Sequence, residues 1–441
     1  MAARTKGFHQ SSAPDANKTT TSRNVWRRHN ARTNLALVTA LRPAASSLIM
    51  KKQEQKWHNA TTAIHAGEEK HGLSVPVAPV ITRTSNFTFA NTEELKRWAE
   101  GKSSAYIYTR YGNPTVAIAE EKIARLEGAE AAVCTASGMA AISTTLLTLV
   151  RAGEEIIAQR QTYGGSYRLM RDYLPRLGIV VRYVESDLAG IERMVNPRTK
   201  AIYLETPTNP TLRLVDLRKA VGFAKEWDIP TIVDNTFASP ILQKPLALGI
   251  DLVAHSATKY LGGHSDLIAG AVAGSRTYID RIRESIIYFG GSMDPEPAYL
   301  LIRGIKTLEV RILQQSKSAM AIARFLEKHP KVKAVHYPGL PSSPDYRLAK
   351  SQMSGFGAML AFDVKGGIAA ARRACDRVRI FLLAASLGGV ESLVVLPVYS
   401  SHYKMSAEEL RKAGVDPGCI RVSVGLEDPA DLIEDLRQAL A

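Results

Sequence analysis

The sequence predicts an α/β protein with one large domain built on a mainly parallel sheet and a smaller C-terminal α/β domain. Helical and strand-like patterns alternate from about residue 115, which is typical of repeated βαβ units. The strand-like runs are apolar without strict alternation, as expected for strands that helices cover on both faces. After about residue 310, a long helical pattern is followed by a mixture of strands and helices. This change indicates the second domain.

The elements of the large domain follow from the spacing of its apolar residues. Residues 117–127 place Ile118, Ile123 and Leu126 on one helical face, and Gly153 is a stop signal after a second helix at 139–150. A third helix is predicted at 216–227. The predicted strands are 131–135, 155–158, 179–184, 201–204, 231–233 and 252–254.

The C-terminal region is predicted to begin with a helix at 306–328. The strands predicted after it are 332–336, 357–363 and 419–424, and the helices are 408–413 and 431–439. Residues 50–110 show no regular pattern over most of their length, which predicts an arm that packs on a neighbouring subunit. We therefore expect a basic extension (1–49), an N-terminal arm (50–110), a large ligand-binding domain (111–310) and a small domain (311–441).

The positive charge of the chain is concentrated near its start. The net charge is +15, and residues 1–49 contribute +7 of it, from eight basic residues and the single acid Asp15. An Arg-rich, acid-poor start is typical of an organellar transit peptide. A disordered tail, or an upstream extension before a true start at Met50, are the alternatives. A non-catalytic protein that binds nucleic acid through this segment is a remote alternative, since it explains none of the features described below.

The cysteine and hydropathy patterns favour a cytoplasmic protein, with an organelle as the alternative. Cys134, Cys375 and Cys419 are odd in number and widely spaced, which argues against a disulfide framework and a zinc ribbon. No apolar run reaches the roughly 18 residues of a membrane span. His255 and His264 have no neighbouring cluster of carboxylates or thiols. We therefore predict no metal site, no membrane partner and no nucleic-acid partner.

Polar residues that follow strands are the candidates for chemistry, because ligands of open parallel sheets bind beyond the carboxyl ends of the strands. Asp234 ends one predicted strand, and Lys259 lies shortly after another. A carboxylate in that position is costly without a positive partner. Ser137 and Gly138 open a helix directly after a strand, where backbone N–H groups attract phosphate. An amine, a buried acid and a phosphate cradle are the three features that pyridoxal 5′-phosphate (PLP) requires.

The sequence resembles the Cys/Met metabolism family of fold-type I PLP-dependent enzymes from about His65 to the C-terminus. This family includes cystathionine γ-synthase, cystathionine γ-lyase, methionine γ-lyase and O-acylhomoserine sulfhydrylase. The motifs that carry the resemblance are Tyr108-Thr109-Arg110-Tyr111-Gly112-Asn113-Pro114-Thr115, Glu205-Thr206-Pro207-Thr208-Asn209-Pro210, 256–263, Ser386-Leu387-Gly388-Gly389-Val390-Glu391-Ser392 and Arg421-Val422-Ser423-Val424-Gly425-Leu426-Glu427.

The resemblance implies roles for the residues that match these motifs. Lys259 is similar to the lysine that forms the Schiff base, and Asp234 to the partner of the pyridine nitrogen. Tyr163 resembles the tyrosine that stacks on the cofactor ring and exchanges protons. The residues that resemble phosphate contacts are Gly138, Met139, Ser256 and Thr258.

Other matches concern the substrate and the neighbouring subunit. Arg421 resembles the arginine that holds the substrate α-carboxylate in a planar fork, flanked by Ser386 and Asn209. Tyr108 and Arg110 resemble residues that reach the cofactor phosphate of a neighbouring subunit. The resemblance therefore implies dimers that share active sites, assembled into a homotetramer.

The family resemblance implies γ-elimination or γ-replacement on sulfur-containing or O-acylated amino acids in transsulfuration. Arg168 stands where relatives that handle cystathionine or cysteine position a distal carboxylate, and Gly165 stands where methionine γ-lyases usually carry cysteine. These two residues favour the cystathionine γ-synthase or γ-lyase type. Ile107 and Ala385 replace acids that relatives acting on cystathionine commonly have for a distal ammonium. Methionine γ-lyase and O-acylhomoserine sulfhydrylase therefore stay open as alternatives.

Overall fold

The computed structural model describes residues 57–70, 72–403 and 405–441. The basic extension 1–49, for which we predicted a transit peptide, a tail or an upstream extension, lies outside the described residues. Residues 57–110 contain two short helices, α1 (Asn59–His65) and α2 (Thr92–Ala99). The described chain divides into a small unit, Phe89–Ala105, and a larger unit that holds everything else. Within the small unit, the Asn91 side chain caps α2 by accepting from the Glu94 amide.

A seven-stranded sheet forms the centre of the large domain; the sequence predicts a mainly parallel sheet and six of these strands. Its strands are β1 (Ala131–Thr135), β2 (Glu155–Gln159), β3 (Val180–Val184), β4 (Thr199–Glu205), β5 (Thr231–Asp234), β6 (Leu252–His255) and β7 (Gly270–Gly274). The spatial order is β1-β7-β6-β5-β4-β2-β3. Six strands run in one direction and β7 runs against them.

Burial along the strands explains why apolar runs without alternation predicted them. Every residue of β2, β5, β6 and β7 is buried, because helices cover both faces of the sheet. The edge strand β3 alternates instead, with exposed Val180 and buried Val184 at its ends. The helices of this domain are α3 (Pro114–Glu127), α4 (Gly138–Leu149), α5 (Gly164–Arg168), α6 (Leu217–Glu226), α7 (Ser239–Leu242), α8 (Arg276–Phe289) and α9 (Pro295–Ile305).

A second, smaller sheet of five strands follows in the chain. Its order is β10-β11-β12-β9-β8, and its strands are β8 (Val332–His336), β9 (Met359–Val364), β10 (Leu382–Leu383), β11 (Leu393–Val395) and β12 (Cys419–Ser423). The helices of this part are α10 (Leu308–Glu327), α11 (Tyr346–Gln352), α12 (Gly367–Arg377), α13 (Ala407–Lys412) and α14 (Pro429–Leu440). The α/β fold class, with a large mainly parallel sheet and a smaller sheet, is confirmed. The exact division at residue 310 stays a prediction.

Helix ends follow capping rules that the sequence contains. Asn113 accepts from the Thr115 amide just before Pro114 at the start of α3, and Gly128 ends that helix with a φ of 74°. Among the described residues, no helix is both long and apolar enough to cross a bilayer.

Candidate active site

Several of the polar residues singled out from the sequence lie at one edge of the large sheet, where its parallel strands end. Glu205 and Asp234 end β4 and β5 and are direct neighbours in register. Lys259 lies in the turn after β6, Tyr163 follows β2, and Gly138 begins α4 after β1. This edge is where open α/β sheets bind ligands.

Lys259 is a partly buried amine at the meeting point of the two sheets. Its Nζ donates a 2.9 Å hydrogen bond to the hydroxyl of Ser386, which belongs to the smaller domain. Burial, and then the positive charge of Arg421, lowers the pKa of Lys259. At a given pH, a larger fraction of this amine is therefore unprotonated than of the amine of a surface lysine. Gly388 allows the loop of Ser386 to lie close to the turn of Lys259, because a Cβ on Gly388 would be only 2.7 Å from the Tyr260 nitrogen.

Asp234 is a buried carboxyl group, 5% exposed, at the end of a hydrophobic strand. The Thr236 amide donates to its Oδ1 at 3.0 Å, and the Tyr203 hydroxyl donates to Oδ2 at 3.5 Å. Burial raises the pKa of Asp234, against the hydrogen bonds from Thr236. In the described part of the chain, no lysine, arginine or histidine forms an ion pair with it. A buried carboxylate of this kind is suited to a ligand that brings a positive charge.

The start of α4 approaches the turn after β6 closely. The Ser137 hydroxyl caps the helix by accepting from the Ala140 amide at 3.1 Å. A Cβ on Gly138 would lie 2.8 Å from the Ser256 Cβ, so only glycine permits this contact. Met139 is the next residue of the helix. Free N–H groups at such a helix start attract a phosphate group.

The turn that contains Ser256 and Thr258 is held by its own hydrogen bonds. The Ser256 amide donates to the Thr236 hydroxyl at 2.8 Å. The Thr258 hydroxyl donates to the Ala269 carbonyl at 3.1 Å and accepts from the Ala269 amide at 2.9 Å. These bonds fix the backbone that leads to Lys259 opposite the start of α4.

Arg421 lies on β12 and is 5% exposed. Its guanidinium donates to Asn209 Oδ1 at 3.1 Å and to the Ser386 carbonyl at 3.0 Å. Burial lowers the pKa of Arg421 to about 10, so it remains positively charged at neutral pH. No carboxylate forms an ion pair with it among the described residues. A guanidinium held in this way is suited to binding a ligand carboxylate.

Tyr163 lies at the mouth of the site with 47% of its surface exposed. Its backbone N–H donates to Glu205 Oε2 at 2.6 Å. Its ring lies against Gly165, where a Cβ would collide with the ring and come within 3.1 Å of the Met139 sulfur. A larger residue at position 165 would therefore require the tyrosine to move.

Tyr108 and Arg110 are both exposed. The Arg110 guanidinium lies 5.1 Å from the centre of the Tyr108 ring, and Tyr108 pairs with Asn86 in a β-bridge. Within the described residues, no hydrogen bond or ring contact joins Tyr108 or Arg110 to the group around Lys259. Their predicted action on a neighbouring subunit stays a prediction.

A cavity of about 160 Å³ lies beside this group of residues. Three arginines, Arg160, Arg168 and Arg171, line it together with Asn209 and His402. No acidic side chain lines it within the described residues. Arg160 pairs with a glutamate at 2.8 Å and Arg171 with an aspartate at 2.7 Å, both outside the lining, whereas Arg168 has its acidic neighbour only at 3.9 Å.

Sequence reasoning missed two buried residues of the site, Glu205 and His402. Glu205 ends a strand as Asp234 does, so the argument that found Asp234 applies to it equally. His402 is 6% exposed, and burial lowers its pKa to about 4. No sequence signal distinguishes His402 from an ordinary loop histidine.

The two histidines near Lys259 have structural partners. His255 Nε2 lies 2.6 Å from Glu127 Oε1, and both side chains are buried. His264 Nδ1 lies 2.9 Å from the Gly262 carbonyl. These contacts indicate a structural role for both histidines.

Comparisons with known proteins extend these observations. The sequence profile of the family described as "Cys/Met metabolism PLP-dependent enzyme" matches residues 60–441. An L-methionine γ-lyase of Fusobacterium nucleatum is 44% identical over 384 residues, which cover 86% of this chain and 97% of the relative. The chloroplastic cystathionine γ-synthase 1 of Arabidopsis thaliana is 41% identical, over 87% of this chain and 69% of the relative.

A solved structure is similar over nearly the same length. It is a candidate O-acetylhomoserine (thiol)-lyase of Campylobacter jejuni that carries N′-pyridoxyl-lysine-5′-monophosphate. It superposes with a TM-score of 0.83 at 32% identity and covers 87% of this chain and 100% of its own.

Proposed function

The chain belongs to the Cys/Met metabolism family of PLP-dependent enzymes, and from that premise we propose γ-elimination and γ-replacement on amino acids whose distal part carries a carboxylate. This is the chemistry of the cystathionine γ-synthase and γ-lyase type. The family and its named members establish a PLP-dependent carbon–sulfur lyase or transferase. The nature of the substrate is the part that we propose.

The described residues fit the cofactor. Asp234 is buried, and among the described residues no cationic side chain forms an ion pair with it, which leaves its carboxylate available to a protonated pyridine nitrogen. A Cβ on Gly138 would collide with Ser256, so glycine at this position lets the helix start offered to the phosphate lie against the turn that leads to Lys259. Lys259, in the turn that follows Ser256, supplies an amine with a lowered pKa. When bound, PLP supplies a ring that stabilises negative charge next to the substrate amino group.

We assign the remaining chemistry to side chains of this chain. The Lys259 amine accepts the Cα proton of the substrate. Its lowered pKa favours this role, because more of the amine is then unprotonated and able to act as a base. The Tyr163 hydroxyl donates a proton to the departing sulfur or oxygen. Arg421, positioned by Asn209 and the Ser386 carbonyl, binds the α-carboxylate.

The observation that carries the substrate proposal is the cavity with three arginines. Arg168 lies on its wall without a close acidic partner, and the described lining contains no carboxylate. Such a wall favours a substrate with a distal carboxylate over an uncharged methyl thioether. The test is the release of 2-oxobutanoate from cystathionine, O-succinylhomoserine and methionine, each with and without cysteine. Turnover of methionine alone would reject the proposal.

Methionine γ-lyase is the second candidate, because a relative of that name shares 44% identity with the chain. Gly165 argues against this activity, because methionine γ-lyases usually carry cysteine at this position. Here the Tyr163 ring and the Met139 sulfur leave no room for a side chain. O-acylhomoserine sulfhydrylase activity would appear as sulfide-dependent consumption of an O-acylhomoserine when sulfide replaces cysteine in that assay.

We also propose that two subunits share each active site, within a homotetramer. The support is that Tyr108 and Arg110 are exposed and stack on each other, where they are accessible to a second copy. Mixing an inactive Tyr108→Ala variant with an inactive Lys259→Ala variant should restore activity through hybrid dimers. Inactive mixtures that contain hybrid dimers would reject shared sites.

A cytoplasmic location, with an organelle as the alternative, is likewise a proposal. It rests on the reducing environment that three free buried cysteines fit. Fusing residues 1–49 to a fluorescent protein tests the alternative, because a transit peptide would carry the fusion into an organelle.

A further inference from the structure

Glu205 is a buried acid that the proposed chemistry does not use. It is 3% exposed and lies next to Asp234 in register on the neighbouring strand. No lysine, arginine or histidine forms an ion pair with it in the part of the chain that the structure describes. Burying a second carboxyl group beside Asp234 is costly, because neither burial nor a like neighbour favours its charge. Its contacts should therefore offset this cost.

The contacts of Glu205 join the loops that carry two proposed functional residues. Its Oε2 accepts the Tyr163 backbone N–H at 2.6 Å. The amide of Asn209, whose side chain holds Arg421, also lies close enough to stabilise the carboxylate. The Glu205 backbone N–H donates to Gln159 Oε1 at 2.9 Å, which anchors the end of β4 to the end of β2.

The backbone at Tyr163 depends on this acceptor. The Tyr163 side chain is half exposed, and its neighbour Gly164 packs directly against the Ser401 carbonyl. The loop is thus held by Ser401 on one side and by Glu205 on the other. Loss of the Glu205 bond would remove one of these two restraints and let the tyrosine move away from the reacting atoms more easily.

We infer that Glu205 is a positioning residue, which holds the Tyr163 loop at the distance required for proton transfer to the leaving group. The inference rests on the proposed function, because it takes Tyr163 as the proton donor. What matters is the reach of the side chain and its acceptor oxygen. Burial and the nearby Asp234 raise the pKa of Glu205, so a neutral side chain of equal length is a fair substitute.

Two conservative variants separate reach from charge. Glu205→Gln keeps the length and a carbonyl acceptor for the Tyr163 amide, and its kcat should fall by less than about tenfold. Glu205→Asp keeps the carboxyl group but is one methylene too short, and its kcat should fall by roughly a hundredfold, as expected for a misplaced group. KM should change less than kcat in both.

Two further readouts identify the loop as the cause. In the holoenzyme, hydrogen–deuterium exchange of a peptide containing Tyr163 should be faster in Glu205→Asp than in wild type or Glu205→Gln. Exchange of the substrate Cα proton with solvent should persist in Glu205→Asp, because Lys259 performs that step. Matched controls are Glu155→Gln and Glu155→Asp, since Glu155 is equally buried but binds Arg182 at the opposite end of β2.

The inference is overturned if Glu205→Gln loses as much kcat as Glu205→Asp, since the reach of the side chain would then not be the property that matters. It is also overturned if Glu205→Asp keeps wild-type kcat per bound cofactor, or if amide exchange at Tyr163 does not change. A wild-type enzyme without γ-elimination would count against the proposed function instead. The amide exchange at Tyr163 would still decide the role of Glu205 in that case.

Discussion

Lys259 and Ser386 are 127 residues apart in sequence, and their side chains are joined by a 2.9 Å hydrogen bond. The lysine follows a strand of the large sheet, whereas the serine precedes a strand of the small one. The Ser386 carbonyl also accepts from Arg421 at 3.0 Å. One residue of the smaller domain thus sets the position of both the proposed base and the proposed carboxylate-binding group.

Replacement of Lys259 by alanine should abolish turnover. The amine is the proposed base as well as the proposed attachment point for PLP, and loss of a base alone costs at least about a hundredfold. The purified wild type should be yellow, and γ-elimination should be measured in both proteins. Lys333→Ala is the control, because that lysine is exposed and binds only Asp416 among the residues described here. Retained γ-elimination in Lys259→Ala would refute the assignment.

Asp234→Asn should lower kcat severely while the cofactor remains bound. The amide keeps the shape of the side chain but removes the negative charge that we propose holds a proton on the cofactor ring, and loss of such a stabilising group costs roughly a hundredfold or more. Visible absorbance measures the bound cofactor, and 2-oxobutanoate release measures turnover. Asp251→Asn is a suitable control. Asp251 accepts from the amide of Thr231, which begins the strand that Asp234 ends, so Asp251 lies at the opposite end of that strand. Equal losses in both variants would indicate a structural effect only.

The reactivity of Lys259 should have a lower pH midpoint than that of a surface lysine. Burial and Arg421 lower the pKa of Lys259, whereas the hydrogen bond to Asp416 raises that of Lys333. Unprotonated amine therefore appears at lower pH for Lys259 and at higher pH for Lys333 than the ordinary value of about 10.4. The measurement is aldehyde labelling of the apoenzyme across pH, followed by peptide mapping. Identical midpoints would show that the burial of Lys259 has no effect on its proton affinity.

The sequence predicted most strands of the large sheet because they are continuous apolar runs. It did not predict β7, whose sequence is Gly-Ala-Val-Ala-Gly, because glycine and alanine have low strand propensity. The structure explains the small residues. A Cβ on Gly270 would collide with the Ser137 carbonyl, and one on Gly274 would lie 2.6 Å from the Asp251 carbonyl. Close contacts between backbones on neighbouring elements are not visible in a single sequence.

The candidate site was predictable where a residue follows a strand or matches a motif. Asp234 and Lys259 were found from their positions at strand ends, and Arg421 from its motif. The partnership of Arg421 with Asn209, 212 residues away, arises only when the two domains pack together. Glu205 was quoted within a motif but given no role, since its acceptor function depends on where the Tyr163 loop lies.

Arg168→Ala tests the proposed substrate preference. Arg168 lines the cavity and its acidic neighbour is 3.9 Å away, so its charge is more available to a ligand than those of Arg160 and Arg171. We expect kcat/KM for O-succinylhomoserine and for cysteine as cosubstrate to fall by at least about tenfold, as for the loss of one charged hydrogen bond. Methionine should be affected far less, because it has no distal charge.

The comparison between substrates makes the Arg168 experiment decisive. A general disturbance of the fold would lower kcat/KM for every substrate by the same factor, whereas a lost carboxylate contact lowers it only for substrates with that group. Arg193→Ala is the matched control, because Arg193 is 86% exposed in its side chain and forms an ion pair only with Glu192 at 3.9 Å in the described structure. An equal effect of Arg168→Ala on methionine and on O-succinylhomoserine would remove the reason for favouring cystathionine chemistry, because the arginine wall would then play no part in substrate selection.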